Sequence, residues 1–116
     1  MNVIININEK EAQNANCFLR MTSAEIRKQT EILPGEPLFG YTVEMENGSF
    51  VEIFVINGEK ENEFPHIEAI LREKSGKPIS ALPLIWGVTN IDGLNIVFPD
   101  LYQITLKVQD VAKKEG

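Results

Sequence analysis

The chain has 116 residues, of which 43 % are hydrophobic and 24 % are charged, as in folded globular domains and unlike disordered chains. Its formal net charge of −6 argues against nucleic acid and acidic membranes as partners, because both repel a negative surface. A single cysteine excludes an internal disulfide, and neither a signal-peptide pattern nor a membrane-spanning apolar run is visible, so we expect a cytoplasmic protein.

The N-terminal part predicts one strand and one capped helix. In residues 2–8, Val3, Ile5 and Ile7 fall on one side of a period-2 alternation and β-branched side chains recur throughout, which predicts a strand. The polar segment 9–16 fits either a loop or a short surface helix, and segment 17–21 fits either a strand or a helical turn. Residues 22–25 form a capping box, so a short helix should follow and end at Pro34-Gly35.

Residues 40–56 predict a β-hairpin around Asn47-Gly48, a dipeptide that tolerates the positive φ angles of a tight turn. A two-residue turn would bury the charge of Glu52 among apolar side chains, whereas a three-residue turn with a glycine bulge places it on the outer side. We therefore expect the bulged turn. It sets two groups of residues on opposite faces: Tyr41, Val43, Met45, Val51, Ile53 and Val55 on one, and Thr42, Glu44, Glu46, Phe50, Glu52 and Phe54 on the other.

A second helix is predicted after the polar loop 57–63. Pro65 stands where a helix best tolerates proline, its first position. Apolar residues between Phe64 and Leu71 recur at spacings of three and four, and Gly76 supplies a left-handed stop. These features predict a helix from Pro65 to residue 75.

The C-terminal part predicts further strands. Pairing across Asp92-Gly93 would set Val88 opposite Val97 and form a second hairpin. Residues 102–108 alternate apolar and polar side chains, which predicts a strand, although the apolar spacing in 101–111 also fits a helix.

Together these elements predict an α+β fold, a mainly antiparallel sheet of about five or six strands with two short helices packed on one face. We expect a single domain over residues 1–116, with residues 1–2 and 112–116 frayed. No repeat, linker or low-complexity segment divides the sequence.

Residues that often carry chemistry are sparse. His66 is the only histidine, and the sequence lacks the downstream cysteine pair that a zinc-deaminase motif built on it would need. We expect His66 on the surface of the predicted helix, the lone Cys17 buried as a small hydrophobe, and Trp86 in the core. No phosphate-binding or calcium-loop motif occurs in the sequence, so we predict neither a cofactor nor a metal site.

The charge distribution indicates one candidate site. Between Gln29 and Glu59 there is no lysine or arginine but there are six glutamates, whereas acidic and basic residues number eleven each in the remainder of the chain. A one-signed segment of this kind predicts attraction to a basic surface. We expect the outer face of the hairpin to bind a partner protein, with contributions from Glu44, Glu46, Phe50, Glu52 and Phe54.

The predicted function is therefore that of a small interaction protein without catalysis, of which acidic inhibitors and immunity-type proteins are one version. Two alternatives stay open. One is an enzyme or a small-ligand-binding domain with a pocket between helix and sheet, lined by Trp86, Tyr41 or Tyr102 and glutamate side chains. The other is a homodimer formed through an exposed strand edge.

Overall fold

A computed structural model describes residues 2–81, 85–99 and 103–109. In chain order the elements are β1 (Asn2–Asn8), α1 (Glu9–Leu19), α2 (Ser23–Gln29), β2 (Pro37–Glu44), β3 (Phe50–Ile56), β4 (His66–Arg72), β5 (Pro78–Ala81), β6 (Asn95–Val97) and β7 (Gln103–Gln109). The strands form two sheets, one of three strands in the order β1-β7-β6 and one of four in the order β2-β3-β4-β5. The predicted α+β class is confirmed, with seven described strands in two sheets instead of five or six in one.

The three-stranded sheet joins the first described strand to the last. β1 runs parallel to β7, with Asn2 beside Gln103, and β6 runs antiparallel to β7, with Ile96 opposite Ile104. Both β1 and β7 were predicted as strands. Parallel pairing between them was not, because nothing local in the sequence specifies a partner so distant along the chain.

The hairpin predicted across Asp92-Gly93 is wrong. A turn does form there, with Leu94 N donating to Ile91 O at 3.1 Å, but residues 88–90 form no strand. The chain after the turn pairs with β7 instead, beginning with Gly93 N donating to Leu106 O at 2.8 Å. The long alternating strand β7 outcompetes the short segment before the turn as a partner.

Two successive helices connect the sheets. Asn8 caps α1 by accepting a hydrogen bond from Glu11 N at 2.8 Å, so segment 9–16 is helical and the helix continues to Leu19. Thr22 caps α2 as the capping box predicts. That helix ends at Gln29 and not at Pro34-Gly35, because the Thr30 hydroxyl donates to Ile26 O at 2.9 Å while its backbone leaves the helical region.

The hairpin of β2 and β3 has the predicted bulged turn. Met45 N donates to Ser49 O at 2.7 Å and Gly48 N donates to Met45 O at 3.0 Å, which leaves a three-residue loop closed by Gly48 at φ +88°. The pairing sets Thr42 opposite Glu52. The predicted hairpin and register are confirmed.

The helix predicted from Pro65 to residue 75 is wrong, because this segment forms strand β4. Ile67, Ala69 and Leu71 point inward with at most 1 % of their surface exposed, each opposite a buried residue of β3. Gly76, at φ +95°, closes a bulged turn into β5 instead of ending a helix. The apolar residues satisfy both periodicities, and the ladder with β3 decides between them.

Both sheets and α1 contribute to one apolar core. Completely or almost completely buried members include Leu19 from α1, Ile53 and Leu71 from the four-stranded sheet, and Ile104 and Leu106 from the three-stranded sheet. Over the described ranges, neither helix has the length and apolar character required to cross a membrane.

Candidate functional site

The hairpin turns its two sets of side chains to opposite sides, and we call the side away from the core the outer face. Val51, Ile53 and Val55 are buried in the core, whereas the intervening Phe50 and Phe54 are only half-buried. On the same outer side Glu44 lies directly opposite Phe50, and Glu46 lies in the adjoining turn; both glutamates are exposed. The structure therefore brings four residues of the predicted site onto one face, Glu44, Phe50, Glu52 and Phe54, and places the fifth, Glu46, in the turn that adjoins them.

Glu52 is not a free carboxylate. Arg72, from β4, donates its Nε–H to Glu52 Oε1, and the two side chains are only 26 % and 25 % exposed. The same guanidinium donates through Nη1 to Gly76 O at 2.9 Å. Because Arg72 lies outside the cation-free segment of the sequence, its approach corrects the expectation that all three glutamates of the hairpin would present negative charge together.

The remaining glutamates of the cation-free segment are divided between the two ends of the hairpin. Glu44 and Glu46 lie at the turn and, within the part of the chain that the structure describes, have no cationic group within 4 Å. Glu31, Glu36 and Glu59 lie in loops at the opposite end, which a hydrogen bond of 3.0 Å from Gly35 N to Asn57 O holds together. Within the cation-free segment, the unpaired charge at the outer face therefore comes from Glu44 and Glu46.

Strand β4 adds residues to the outer face that the sequence interpretation missed. Ile70 pairs with Glu52 and Glu68 pairs with Phe54, so both side chains lie on the same side as the aromatic rings. Each is partly exposed. The signal was present, because 67, 69 and 71 alternate with 68, 70 and 72, but the helical assignment of this segment concealed it.

A groove lies between the end of α1, the loop before β4 and the chain after β5. Its volume is about 450 Å³, and Trp86 and Phe64 contribute rings that are 49 % and 48 % exposed. Its lining consists of Leu19, Arg20, Glu63, Phe64, Pro65, Trp86, Gly87, Val88 and Thr89.

The expectation that Trp86 fills the core is wrong. Ile85 exchanges two backbone hydrogen bonds of 2.9 Å with Ile67 and packs against the core. Since successive side chains of an extended segment point to opposite sides, Trp86 then turns outward. Nothing in this apolar run of the sequence indicates that Ile85, and not Trp86, forms the isolated bridge to Ile67. The sequence therefore could not predict which of the two side chains faces the core.

His66 is buried and not on the surface as expected. It opens β4 and is 5 % exposed, with Nε2 2.9 Å from Glu68 Oε2 and with its ring centroid 4.6 Å from that of Trp86. Nδ1 has no hydrogen-bond partner among the described residues. The ring is covered because residue 66 lies in a strand under Trp86 and not in the first turn of a surface helix.

Cys17 is exposed, contrary to the expectation that it would be buried. Ala12, Ala15 and Leu19 occupy the buried face of α1, and residue 17 falls on the other side of the helix. Among the described residues, no group of three or more histidine, cysteine, aspartate or glutamate side chains is placed to hold a metal ion.

The tyrosines do not join Trp86 in one pocket. Tyr41 lies in a separate hollow beside Phe39 and α1, where burial, and secondarily the carboxylate of Glu11, raises its pKa above the usual value of 10.0. Tyr102 lies outside the described residues. Of the predicted pocket, the structure therefore brings together Trp86 and one glutamate, Glu63.

The chain matches no protein-family model, and comparison with curated proteins and with solved structures finds no significant similarity.

Proposed function

We propose that this protein is a small interaction module that binds a basic region of a partner protein through the outer face. One observation supports this function above all others. An antiparallel sheet with one face in water normally carries polar side chains on that face, yet here Phe50, Phe54 and Ile70 lie outward while Glu44 and Glu46 beside them carry unpaired charge.

The outer face has the composition of an interface with an apolar centre and a charged rim. Phe50 and Phe54 supply aromatic area that is withdrawn from water on binding, and aromatic residues dominate the energetics of such centres. Glu52 lies between the two aromatic residues along β3, and its partner Arg72 is also bonded to Gly76 O, so the pair offers polar contacts without a large entropic cost. Glu44 and Glu46 act as the steering charges.

We place the interaction in the cytoplasm. Cys17 is exposed and unpaired, which suits a compartment that keeps thiols reduced. A partner there would present lysine or arginine side chains around an apolar patch. Inhibition of a protein with a basic active site is one form that such binding would take.

Affinity capture at several salt concentrations tests the proposal. The immobilised protein should retain its partner at low ionic strength and release it as salt rises, because the Debye length falls from about 10 Å at 0.1 M to about 3 Å at 1 M. The Glu44→Gln/Glu46→Gln variant should lose that partner. The control Glu31→Gln/Glu59→Gln removes the same charge from exposed loops at the other end of the hairpin and should retain it.

Retention of the same partner by both double variants would contradict the proposal.

Self-association is the alternative to a partner protein. Because β2 forms one edge of the four-stranded sheet, a second copy of the chain could pair with it and cover the outer face. Light scattering at two protein concentrations separates a dimer from a monomer, and a dimer that Phe54→Ser disrupts would assign the outer face to self-association.

A further inference from the structure

The groove beside Trp86 is apolar over most of its lining and has the size of a ligand site. Its volume of about 450 Å³ lies within the range of roughly 300 to 1,000 Å³ that small-molecule pockets occupy. Trp86 and Phe64 expose about half of their surfaces there, so an apolar molecule that covers both rings removes a large apolar area from water.

Two charged side chains line the groove, Glu63 and Arg20, and they differ in their partners. Glu63 Oε2 accepts hydrogen bonds from Glu59 N at 3.0 Å and Lys60 N at 3.3 Å, which turns its carboxylate into its own loop. Arg20, the residue that ends α1, has no carboxylate within 4 Å over the described ranges. The groove thus has apolar walls and, at the end of α1, an arginine without a carboxylate partner among the described residues; this arginine also lines a neighbouring hollow beside Cys17.

One ring of the groove, that of Trp86, is supported by side chains beneath it. The ring of Trp86 rests on the buried ring of His66, whose Nε2 is in turn 2.9 Å from Glu68 Oε2. Pro65 is buried directly before β4 and restricts the backbone that carries Phe64. A Trp86 ring that is already supported in this way loses less conformational entropy on binding.

We propose that this groove binds a small organic monocarboxylate with an aromatic or branched apolar body. The body lies between Trp86 and Phe64, and the carboxylate accepts hydrogen bonds from the guanidinium of Arg20, whose planar fork matches the two oxygens of a carboxylate. The groove adjoins the outer face through Glu68 and His66, but the two proposed sites use different binding residues, so either proposal can fail without the other.

Trp86 is the only tryptophan in the sequence, so intrinsic fluorescence reports on the groove directly. The probes are 4-phenylbutyrate, 4-phenylbutan-1-ol and 4-phenylbutylamine, which share one apolar body and differ in head-group charge. We expect a saturable change of Trp86 fluorescence, with the carboxylate binding roughly two- to fivefold more tightly than the alcohol, as for an exposed charge pair. The amine should bind less tightly than the alcohol.

Two variants test the role assigned to Arg20. Arg20→Met should abolish the preference for the carboxylate while leaving the affinity for the alcohol unchanged, because only the head-group contact is removed. The control Lys28→Met removes an exposed cation from α2, outside the groove lining, and should preserve the preference. Amide NMR shifts on adding 4-phenylbutyrate to the unmodified protein should concentrate at Phe64, Gly87 and Thr89.

Several outcomes would overturn the inference. These are no saturable binding of 4-phenylbutyrate, equal affinities for the carboxylate and the alcohol, a preference that survives Arg20→Met, or NMR shifts that centre elsewhere. Each of these measurements uses the full chain and gives a result without knowledge of the natural ligand.

Discussion

Arg72 is the residue that most alters the charge pattern of the sequence, because it serves two acceptors on neighbouring elements. Arg72→Met should lower the free energy of unfolding by about 1–2 kcal/mol, since it leaves both Glu52 and Gly76 O without a partner. Glu52→Gln should cost less, because an amide still accepts the bond. Urea denaturation measures both changes.

The exposed pair of Arg27 and Glu61 provides a comparison for Arg72. Their nearest atoms are 3.5 Å apart, and the Glu61 side chain is 83 % exposed, so Glu61→Gln should leave stability almost unchanged. If Arg72→Met were as neutral as Glu61→Gln, the hydrogen bonds of Arg72 to Glu52 and Gly76 would contribute nothing measurable to stability.

Tyr41 predicts a loss of stability in alkaline solution. Its pKa in the folded protein is raised above 10.0 by burial and by Glu11, so above pH 10 the unfolded chain releases this proton first and the folded state becomes progressively less stable. Below the pKa of Tyr41 in the unfolded chain, the hydroxyl is protonated in both states and causes no loss of stability. Tyr41→Phe should therefore reduce the fall in the urea midpoint between about pH 8 and about pH 11.

Glu11→Gln gives a second readout for Tyr41. Removing the carboxylate should shift the ultraviolet titration of Tyr41 toward lower pH without bringing it back to 10.0, because burial is the larger cause. An alkaline loss of stability that is the same in Tyr41→Phe and in the unmodified protein would show that this hydroxyl is not responsible.

At the scale of elements, one turn design closes two hairpins. Gly48 and Gly76 both have φ near +90°, and each turn is closed by two backbone hydrogen bonds that have the same spacing along the chain. Gly76→Ala should cost about 1–2 kcal/mol through backbone strain alone, because a Cβ there meets no other atom within 4 Å. Gly48→Ala should cost more, since its Cβ would lie 3.1 Å from Lys74 Cδ.

Lys74→Ala separates the two contributions at Gly48. In that background Gly48→Ala should cost the same as Gly76→Ala, because only the strain of a left-handed residue remains. Thermal denaturation of the four variants measures the difference. Equal costs for both glycines in the unmodified background would show that the Lys74 side chain moves aside freely.

The elements that local signals specify were predictable, and those decided by distant partners were not. The turn at Gly48 and the cap at Thr22 depend on a few neighbouring residues, and both are as predicted. The segment 66–72 carries apolar residues that suit a helix and a strand equally, and the ladder with β3 selects the strand. The same error hid Ile70 and Arg72 from the predicted site.

The N-terminus of α2 is anchored by the loop between β3 and β4. Ser23 N donates to Glu63 O at 2.7 Å, and the fully buried Ser23 hydroxyl donates to Gly58 O at 2.8 Å. Ser23→Ala should destabilise the protein by about 1–2 kcal/mol, because it leaves a buried carbonyl with one partner fewer. Hydrogen exchange should show faster opening of this loop, whereas the exposed control Ser75→Ala should leave its exchange unchanged.

At the scale of the whole molecule, the outer face and the groove depend on one core, to which both the first described strand, β1, and the last, β7, contribute side chains. The outer face is the back of the sheet whose inner side packs into that core, and the groove begins at Leu19, a core residue of α1. The core also requires Ile104 and Leu106, which reach it from the strand β7. A defect in β7 should therefore affect both surfaces together.

Removal of β7 tests this dependence. A fragment of residues 1–99 lacks the common partner of β1 and β6, so the three-stranded sheet cannot form and the inward side chains of the other sheet face water. We expect this fragment to lose the cooperative thermal transition, whereas a chain ending at Gln109 keeps every described strand and should retain it. Far-ultraviolet circular dichroism follows both. A cooperative transition near the original midpoint in fragment 1–99 would mean that the four-stranded sheet and the helices form a core of their own, and the two surfaces would then be separable from the chain termini.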